Sequence, residues 1–158
     1  MDILENARLS AALGFFKKAI PSPTEKNFQT QLGVHLEEIS EMLLELTGND
    51  EVTADAVKHA QQIVAHLSAH LKHGYGTVTI NNRTEFLDSL CDQLVTAIGV
   101  GYMANMNIEA AFGEVNRSNL SKFDANGEPI FDNNLKITKG PNYFKPNLKP
   151  FATQPVPK

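Results

Sequence analysis

The sequence predicts an all-α fold in which four helices form a bundle, followed by a fifth short helix and an irregular C-terminal extension. Apolar residues recur three and four positions apart through most of residues 1–123, which is the spacing of amphipathic helices. Six of the eight prolines lie beyond residue 124, where this spacing stops. We therefore expect one helical domain over residues 1–123 and an extension over 124–158 that wraps the bundle.

Each predicted helix has a recognisable start or end. The first stops at the prolines of "PSP", and the second begins after Thr24, a suitable N-cap. Gly48 ends the second helix and Gly74 ends the third, as glycine commonly does. The fourth begins near Asn82 or Thr84, at the end of the turn-rich stretch "YGTVTINNRT". The expected ranges are about 2–20, 24–47, 53–73, 82–106 and 108–123.

Composition is that of an ordinary globular protein and disfavours several classes of partner. The chain has 158 residues, of which 42% are apolar and 20% charged, with a net charge of −4. No apolar run is long enough to cross a bilayer, and dispersed bases in an acidic chain argue against a nucleic-acid polymer. Cys91 is the single cysteine, and the start "MDILENARLS" carries acid where a secretion signal needs base, so we expect a cytoplasmic protein. The last residues, "FATQPVPK", are expected to be disordered.

Acidic residues cluster in two parts of the chain that contain no lysine or arginine. Seven lie between Lys26 and Lys58, and five more lie between Arg83 and Arg117. From Arg117 onward the balance reverses, with seven bases against three acids. The pattern indicates either two poles of one site or two separate surfaces. The clustered acids are Glu37, Glu38, Glu41, Glu45, Asp50, Glu51, Asp55, Glu85, Asp88, Asp92, Glu109 and Glu114.

Helical spacing places these acids on two stripes, each beside an apolar face. The second helix carries four glutamates opposite its leucines, and the fourth carries Glu85, Asp88 and Asp92 beside Leu87, Leu90, Leu94 and Ile98. Each stripe is either a solvated face, the usual role of such charges, or one half of a cation site. Carboxylates that converge repel one another unless a cation lies between them. Oxygen ligands without His or Cys favour Mg²⁺ or Mn²⁺.

Four segments carry a resemblance to a known family. "EEISE" begins at Glu37 and "EFLD" begins at Glu85, and together they resemble the EExxE … ExxD signature of MazG-like, all-α nucleoside triphosphate pyrophosphohydrolases. Downstream, "EVNRSNLSK" and "KGPNYFKP" resemble segments of the longer phage and bacterial members. The combination spans about residues 32–146. Forty-three residues separate Glu41 from Glu85, more than in compact members, so the resemblance leaves the substrate open.

The resemblance implies that residues 1–123 form a catalytic domain which hydrolyses a (deoxy)nucleoside triphosphate between its α and β phosphates. It implies Mg²⁺, or Mn²⁺, held by Glu38, Glu41, Glu85 and Asp88. Glu38 is thereby also catalytic, and Glu37 is an additional ligand or orients the attacking water. Asp92 lies on the same stripe outside the signature. The matching segments assign substrate phosphates to Asn116, Asn119, Lys122 and Lys139.

The family also implies a homodimer or a dimer-based homotetramer in the cytoplasm, which would be the host cytoplasm for a phage-encoded protein. Within the same superfamily, one alternative is phosphoribosyl-ATP pyrophosphohydrolase. A narrower version is a phage enzyme that acts on dGTP or another purine dNTP. An alternative of a different class is a non-catalytic helical module whose acidic stripe binds a partner.

A histidine stripe and two glycines complete the candidates. His59, His66, His70 and His73 lie within about 60° on the third helix. They could form a solvated or subunit-facing edge, line the nucleotide entrance, or grip a transition metal through the i,i+4 pair. Gly99 and Gly101, in "AIGVGY", are expected to allow close helix approach.

Overall fold

In the computed structural model, residues 3–153 are described, with side chains from residue 7 onward. The described chain contains five α-helices and one 3₁₀ turn, and its only β pairing is an isolated bridge between Phe131 and Ile137. The predicted all-α class is therefore confirmed. The expected start at residue 2 and the expected disorder of residues 154–158 lie outside the described range. The elements are α1 (Ile3–Ala19), α2 (Glu25–Leu44), α3 (Glu51–Lys72), α4 (Arg83–Met103), α5 (Ile108–Leu120) and the 3₁₀ turn Lys149–Phe151.

The helix starts follow from side-chain caps. The Thr24 hydroxyl accepts a hydrogen bond from the Asn27 amide while the Asn27 side chain accepts one from the Thr24 amide, which forms a capping box. Asp50 caps α3 by accepting from the Thr53 amide at 2.9 Å, so this helix begins two residues before the predicted start at Thr53. Asn82 caps α4, because its side-chain oxygen accepts from two backbone amides, and the helix begins close to the predicted start.

The helix ends come earlier than the sequence predicts. α2 stops at Leu44, α4 at Met103 and α5 at Leu120. Beyond α4 the backbone of Asn105 takes a positive φ of 57°, which a continuing helix cannot accommodate. Apolar spacing continues past each of these ends, and spacing alone does not show where backbone hydrogen bonding stops.

The chain forms two compact units. The hairpin unit consists of residues 22–79 and 131–138, so it holds α2, α3 and a short loop from the C-terminal extension. The described part of the terminal unit consists of residues 3–21, 80–130 and 139–153, so it holds α1, α4 and α5. Each unit is described by itself below. No helix in the described part of the chain is both long and apolar enough to span a membrane.

Close backbone packing defines the hairpin unit. Gly33 of α2 is buried against α3, where an added Cβ would come within 2.9 Å of the Ser68 carbonyl and 2.7 Å of Lys72 Cγ. The Ser68 hydroxyl donates to the Gly33 carbonyl at 2.7 Å, and the Gln61 amide donates to the Ser40 hydroxyl at 3.1 Å. Small residues and these hydrogen bonds hold the two antiparallel helices together.

The terminal unit has an aromatic and polar centre between α1 and the end of α5. Phe15 and Phe123 are both buried, with ring centroids 5.3 Å apart. The Asn116 side chain donates to the Arg8 carbonyl at 3.0 Å, which ties α5 to α1. The Ser118 hydroxyl donates to the Phe144 carbonyl at 2.8 Å, so the extension lies along α5.

The apolar stripe of α4 is largely exposed, which contradicts the predicted core face. Leu94 and Ile98 are 55% and 57% exposed. Within its unit, α4 contacts α5 at its C-terminal end, where a Cβ on Gly101 would come within 2.8 Å of Ile108 Cδ1. The predicted close approach is therefore confirmed at Gly101. At Gly99 no described atom lies within 4 Å of an added Cβ. The predicted close helix approach is therefore wrong for Gly99 in the single chain.

Candidate functional site

The first predicted pair of metal ligands lies on the outer side of α2. Glu38 and Glu41 are three residues apart and both are exposed to solvent. Residues at this spacing lie one above the other on a helix. Gly33 and Ser40 on the buried side of α2 fix the helix against α3, so the two carboxylates are carried by a rigid support.

The second predicted pair lies in the first two turns of α4. Glu85 and Asp88 are again three residues apart and exposed. The Asn82 side-chain oxygen accepts from the Thr84 amide at 3.0 Å and from the Glu85 amide at 3.3 Å, which fixes the helix start. The positive end of the helix dipole favours carboxylates here. Asp92, one turn further, is also exposed.

The four predicted ligands divide equally between the units, with the Glu38 and Glu41 pair in the hairpin unit and the Glu85 and Asp88 pair in the terminal unit. The donor set fits Mg²⁺, since this ion is usually held by one or two carboxylates, with waters and substrate phosphates filling the other positions. Among the described side chains there is no group of three or more His, Cys, Asp or Glu residues arranged to hold a metal ion. Each unit therefore offers a pair of oxygen ligands rather than a closed cage.

Two lysines contact the carboxylate of Glu37. Lys72 of α3 donates to one carboxylate oxygen, and Lys136 of the extension donates to the other at 2.7 Å. The Glu37 side chain is 26% exposed. Burial alone would raise the pKa of Glu37, but the hydrogen bonds from Lys136 and Lys72 outweigh burial and hold the pKa below its ordinary value. The sequence-based view of α2 as a stripe without cations is therefore wrong at Glu37.

Lys136 lies in a loop that several hydrogen bonds hold in one conformation. The Asp132 side chain accepts from the amides of Asn134 and Lys136 at 2.8 and 2.9 Å, and the Asp132 amide donates to the Lys136 carbonyl at 3.0 Å. Leu135, with a φ of 64°, closes the turn. The Thr30 hydroxyl donates to the Asn134 carbonyl at 2.8 Å, which fastens the loop to α2.

The residues predicted to hold phosphates all lie in the terminal unit. Asn116 is buried with its amide committed to the Arg8 carbonyl, so this amide stabilises the unit. Asn119 and Lys122 are half-buried near the end of α5, whereas Lys139 is exposed, with its ammonium 4.9 Å from the centre of the Tyr143 ring. Gly140 packs against the Lys122 carbonyl, where a Cβ would come within 2.5 Å. The fold thus brings the chain at Lys139 close to the chain at Lys122.

Sequence analysis missed Lys72 and Lys136 as partners of an acidic signature residue. They lie 35 and 99 positions from Glu37, so no helical spacing rule connects them. A partial signal for Lys72 was present, since a short connection between two long helices predicts an antiparallel pair that places the end of α3 beside the first half of α2. The Lys72 stem lies against Gly33, one helical turn before Glu37. Nothing in the sequence indicated that Lys136 would return to α2.

The histidine stripe is continued by a tyrosine from the loop after α3. His66 and His70 have ring centroids 6.1 Å apart, and Tyr75 lies 6.0 Å from His70 and 5.7 Å from His73. His73 Nδ1 also lies 3.4 Å from the side-chain amide nitrogen (Nδ2) of Asn134. His70 and His73 thus take part in packing at the end of the hairpin. His59 and His66 are exposed on α3. These contacts do not test whether the stripe forms a solvated or subunit-facing edge, lines a nucleotide entrance or binds a transition metal.

Comparisons with protein-family models, curated proteins and solved structures found no match to this chain. The acidic signature and the geometry around it are therefore what a functional proposal rests on.

Proposed function

We propose that this protein is an Mg²⁺-dependent nucleoside triphosphate pyrophosphohydrolase, with Mn²⁺ as a substitute ion. It would cleave a (deoxy)nucleoside triphosphate between the α and β phosphates, giving a monophosphate and pyrophosphate. The observation that supports this most is the pair of exposed carboxylates, three residues apart, on each of the two helices that carry the signature. Such pairs suit a hydrated divalent ion that also binds phosphate.

Each carboxylate pair has a proposed role as metal ligand. Glu38 and Glu41 are the proposed ligands on α2, and Glu85 and Asp88 are the proposed ligands on α4. The ion, when bound, would offset the negative charge of the phosphates and lower the pKa of a water molecule that it coordinates. Glu38 is proposed to be catalytic because it would bind this ion directly.

Glu37 is proposed to orient the attacking water. Its lowered pKa keeps the carboxylate ionised at neutral pH, and each oxygen has a second lone pair beyond the one that a lysine uses. A fixed acceptor of this kind can position water without further reorganisation.

The residues proposed to contact substrate phosphates lie in the terminal unit. Lys122 and Lys139 supply positive charge for the oxygens on which charge develops in the transition state, and Asn119 adds an amide donor. Because Asn116 already donates to Arg8, its proposed role is to hold α5 in place for these neighbours.

We further propose that the chain assembles as a homodimer or a dimer-based homotetramer. The apolar stripe of α4 is exposed in the single chain, and contiguous exposed apolar surface commonly marks an association site. The proposed setting is the cytoplasm, or the host cytoplasm for a phage-encoded protein, where nucleotide pools are controlled.

A substrate panel tests the activity. All NTPs and dNTPs, including dGTP, are incubated with protein and Mg²⁺, and phosphate and pyrophosphate are measured separately. Pyrophosphate released in equal amount to a monophosphate supports the proposal, whereas single phosphate release or no release from any nucleotide contradicts it. Phosphoribosyl-ATP belongs in the panel, since preference for it would identify the alternative reaction within the superfamily.

A second candidate is a non-catalytic helical module that binds a partner through its apolar and acidic surfaces. The exposed stripe of α4 favours it as much as it favours self-association. Thermal melting separates the two. A rise in Tm with Mg²⁺ plus a nonhydrolysable triphosphate supports the enzyme, because a ligand stabilises the state that binds it. Indifference to both supports the binding module.

A further inference from the structure

We infer that Lys72 and Lys136 form a binding site for the pyrophosphate part of a phosphate chain, with Glu37 holding both lysines in place. The inference rests on the proposed function for its substrate class. The site lies wholly within the hairpin unit. It names residues that the acidic signature and the downstream motifs do not contain.

Charge is the first argument. Two ammonium groups converge on one carboxylate, so the three groups together carry one net positive charge within a chain of net charge −4. Each ammonium has three donors and uses one of them on Glu37. Lys136 is 38% exposed, so the donors that point away from Glu37 can reach an anion from solvent. A phosphate chain supplies several acceptor oxygens with multiple negative charges.

Position is the second argument. Glu41, a proposed metal ligand, lies one helical turn beyond Glu37 on the same helix. Side chains at this spacing are separated by about 5–6 Å at Cβ. An ion at Glu38 and Glu41 and a phosphate group at the lysines would therefore be neighbours on one side of α2. The ion and the lysines would then each supply positive charge to one of two adjacent phosphate groups.

Preorganisation is the third argument. The Lys72 stem passes over Gly33, which leaves room for it because no Cβ is present. Lys136 is set by the Asp132 turn, and the turn is fastened to α2 through the Thr30 contact with the Asn134 carbonyl. Both ammonium groups are thus held before any ligand arrives, so binding costs less ordering of the side chains.

Calorimetric titration with inorganic pyrophosphate in the presence of Mg²⁺ tests the site. We expect Lys72→Met and Lys136→Met each to weaken binding by about tenfold, the usual loss when one charge-assisted hydrogen bond is removed. Methionine keeps the apolar stem, so packing changes little. Lys58→Met is the matched control because it removes the same charge from an exposed position on α3.

Two results would overturn the inference: no binding of pyrophosphate to the unaltered protein, or equal affinity in Lys136→Met and Lys58→Met. The Lys136 variant keeps the test decisive even where loss of Lys72 unfolds the hairpin unit, because Lys136 lies in a loop. Circular dichroism confirms that each variant is folded.

Nucleotide hydrolysis by the same variants separates the two proposals. Lysine-dependent pyrophosphate binding in a protein that hydrolyses no nucleotide leaves the site standing and removes the proposed activity. Conversely, hydrolysis with unchanged KM in both lysine variants, together with unchanged pyrophosphate affinity, removes the site and leaves the activity.

Discussion

α2 and α4 carry the same sequence pattern, an apolar stripe beside a pair of carboxylates, yet they lie in different surroundings. α2 packs closely along α3, with Gly33 and Ser40 buried at the contact. α4 leaves Leu94 and Ile98 more than half exposed. The difference shows that an amphipathic pattern predicts a face to be covered without identifying what covers it. In α2 the residues buried against α3 are small or polar, and Met42 of its apolar stripe is still 53% exposed, so contact with a neighbouring helix did not follow the apolar stripe. Most of the apolar stripe of α4 is exposed within one chain.

The acidic sides of the two helices differ in the same way. On α2, Glu37 has lysines from two separate parts of the chain. On α4, the Glu85 and Asp88 pair lies near the helix start, where the dipole provides partial positive charge. Similar local sequences thus acquire different electrostatic partners, because long-range contacts decide which cations arrive.

The largest expected effect tests whether both acidic pairs serve one activity. Glu38→Gln on α2 and Asp88→Asn on α4 should each abolish nucleotide hydrolysis, a loss of more than about a hundredfold, because each removes a charged ligand of the ion. Pyrophosphate release measures the effect, and unchanged circular dichroism shows that the fold is intact. Asp55→Asn, an exposed acid of α3, is the control and should retain full activity. Near-native rates in either signature variant would defeat the assignment of that pair.

The next effect tests whether the exposed stripe of α4 is an association surface. Leu94→Lys should reduce the proposed dimer or tetramer to monomers, because a lysine buried in an apolar interface lacks a partner. Light scattering on a gel-filtered sample measures the mass. Val52→Lys is the control, since Val52 is exposed at the start of α3, outside this stripe. The same mass for Leu94→Lys and Val52→Lys would show that the stripe of α4 does not mediate assembly.

A smaller effect tests the close packing of α2. Gly33→Ala should lower the free energy of unfolding by about 1–3 kcal/mol, because the new methyl group meets the backbone of α3. Gly14→Ala should instead raise it by about 0.5–1 kcal/mol, since nothing lies within 4 Å of the added Cβ and alanine favours a helix. Denaturant titration measures both. Equal effects at the two positions would mean that the contact between α2 and α3 accommodates the added methyl group without cost, which contradicts the close packing at Gly33.

The smallest effect concerns pH and Glu37. The folded-state pKa of Glu37 is lowered by the two lysines, so its contribution is present above the unfolded pKa and is lost as pH falls through the folded pKa. Glu37→Gln should therefore reduce the free energy of unfolding by about 1 kcal/mol at neutral pH, with a smaller reduction well below about pH 4. Urea titrations across this range measure the difference, with Glu41→Gln, an exposed acid of α2, as comparison. A difference that stays constant down to the lowest pH would contradict the lysine contacts.

Much of the helical order was predictable because its determinants are local. Thr24 caps the helix that it was expected to cap, α4 begins at Arg83, between the expected Asn82 and Thr84, and α5 begins at the predicted Ile108. Helix ends were harder, since the positive φ at Asn105 leaves no trace in the apolar spacing. Helical spacing predicted two acidic stripes, and the resemblance of "EEISE" and "EFLD" to a family signature selected the four acidic residues of the candidate site. Their surroundings could not be predicted in this way, because Lys136 reaches Glu37 through a loop fixed by Asp132.

The amino-acid sequence alone determined the all-α class, the order of the helices and the placement of two carboxylate pairs on helix surfaces. These features depend on residues within a few positions of one another, through helical periodicity and caps. Only the tertiary structure decided that Glu37 has two lysine partners, that Gly33 brings α2 against α3, and that the stripe of α4 stays exposed. Those outcomes depend on which distant segments fold back onto a given helix, and no local pattern records that choice.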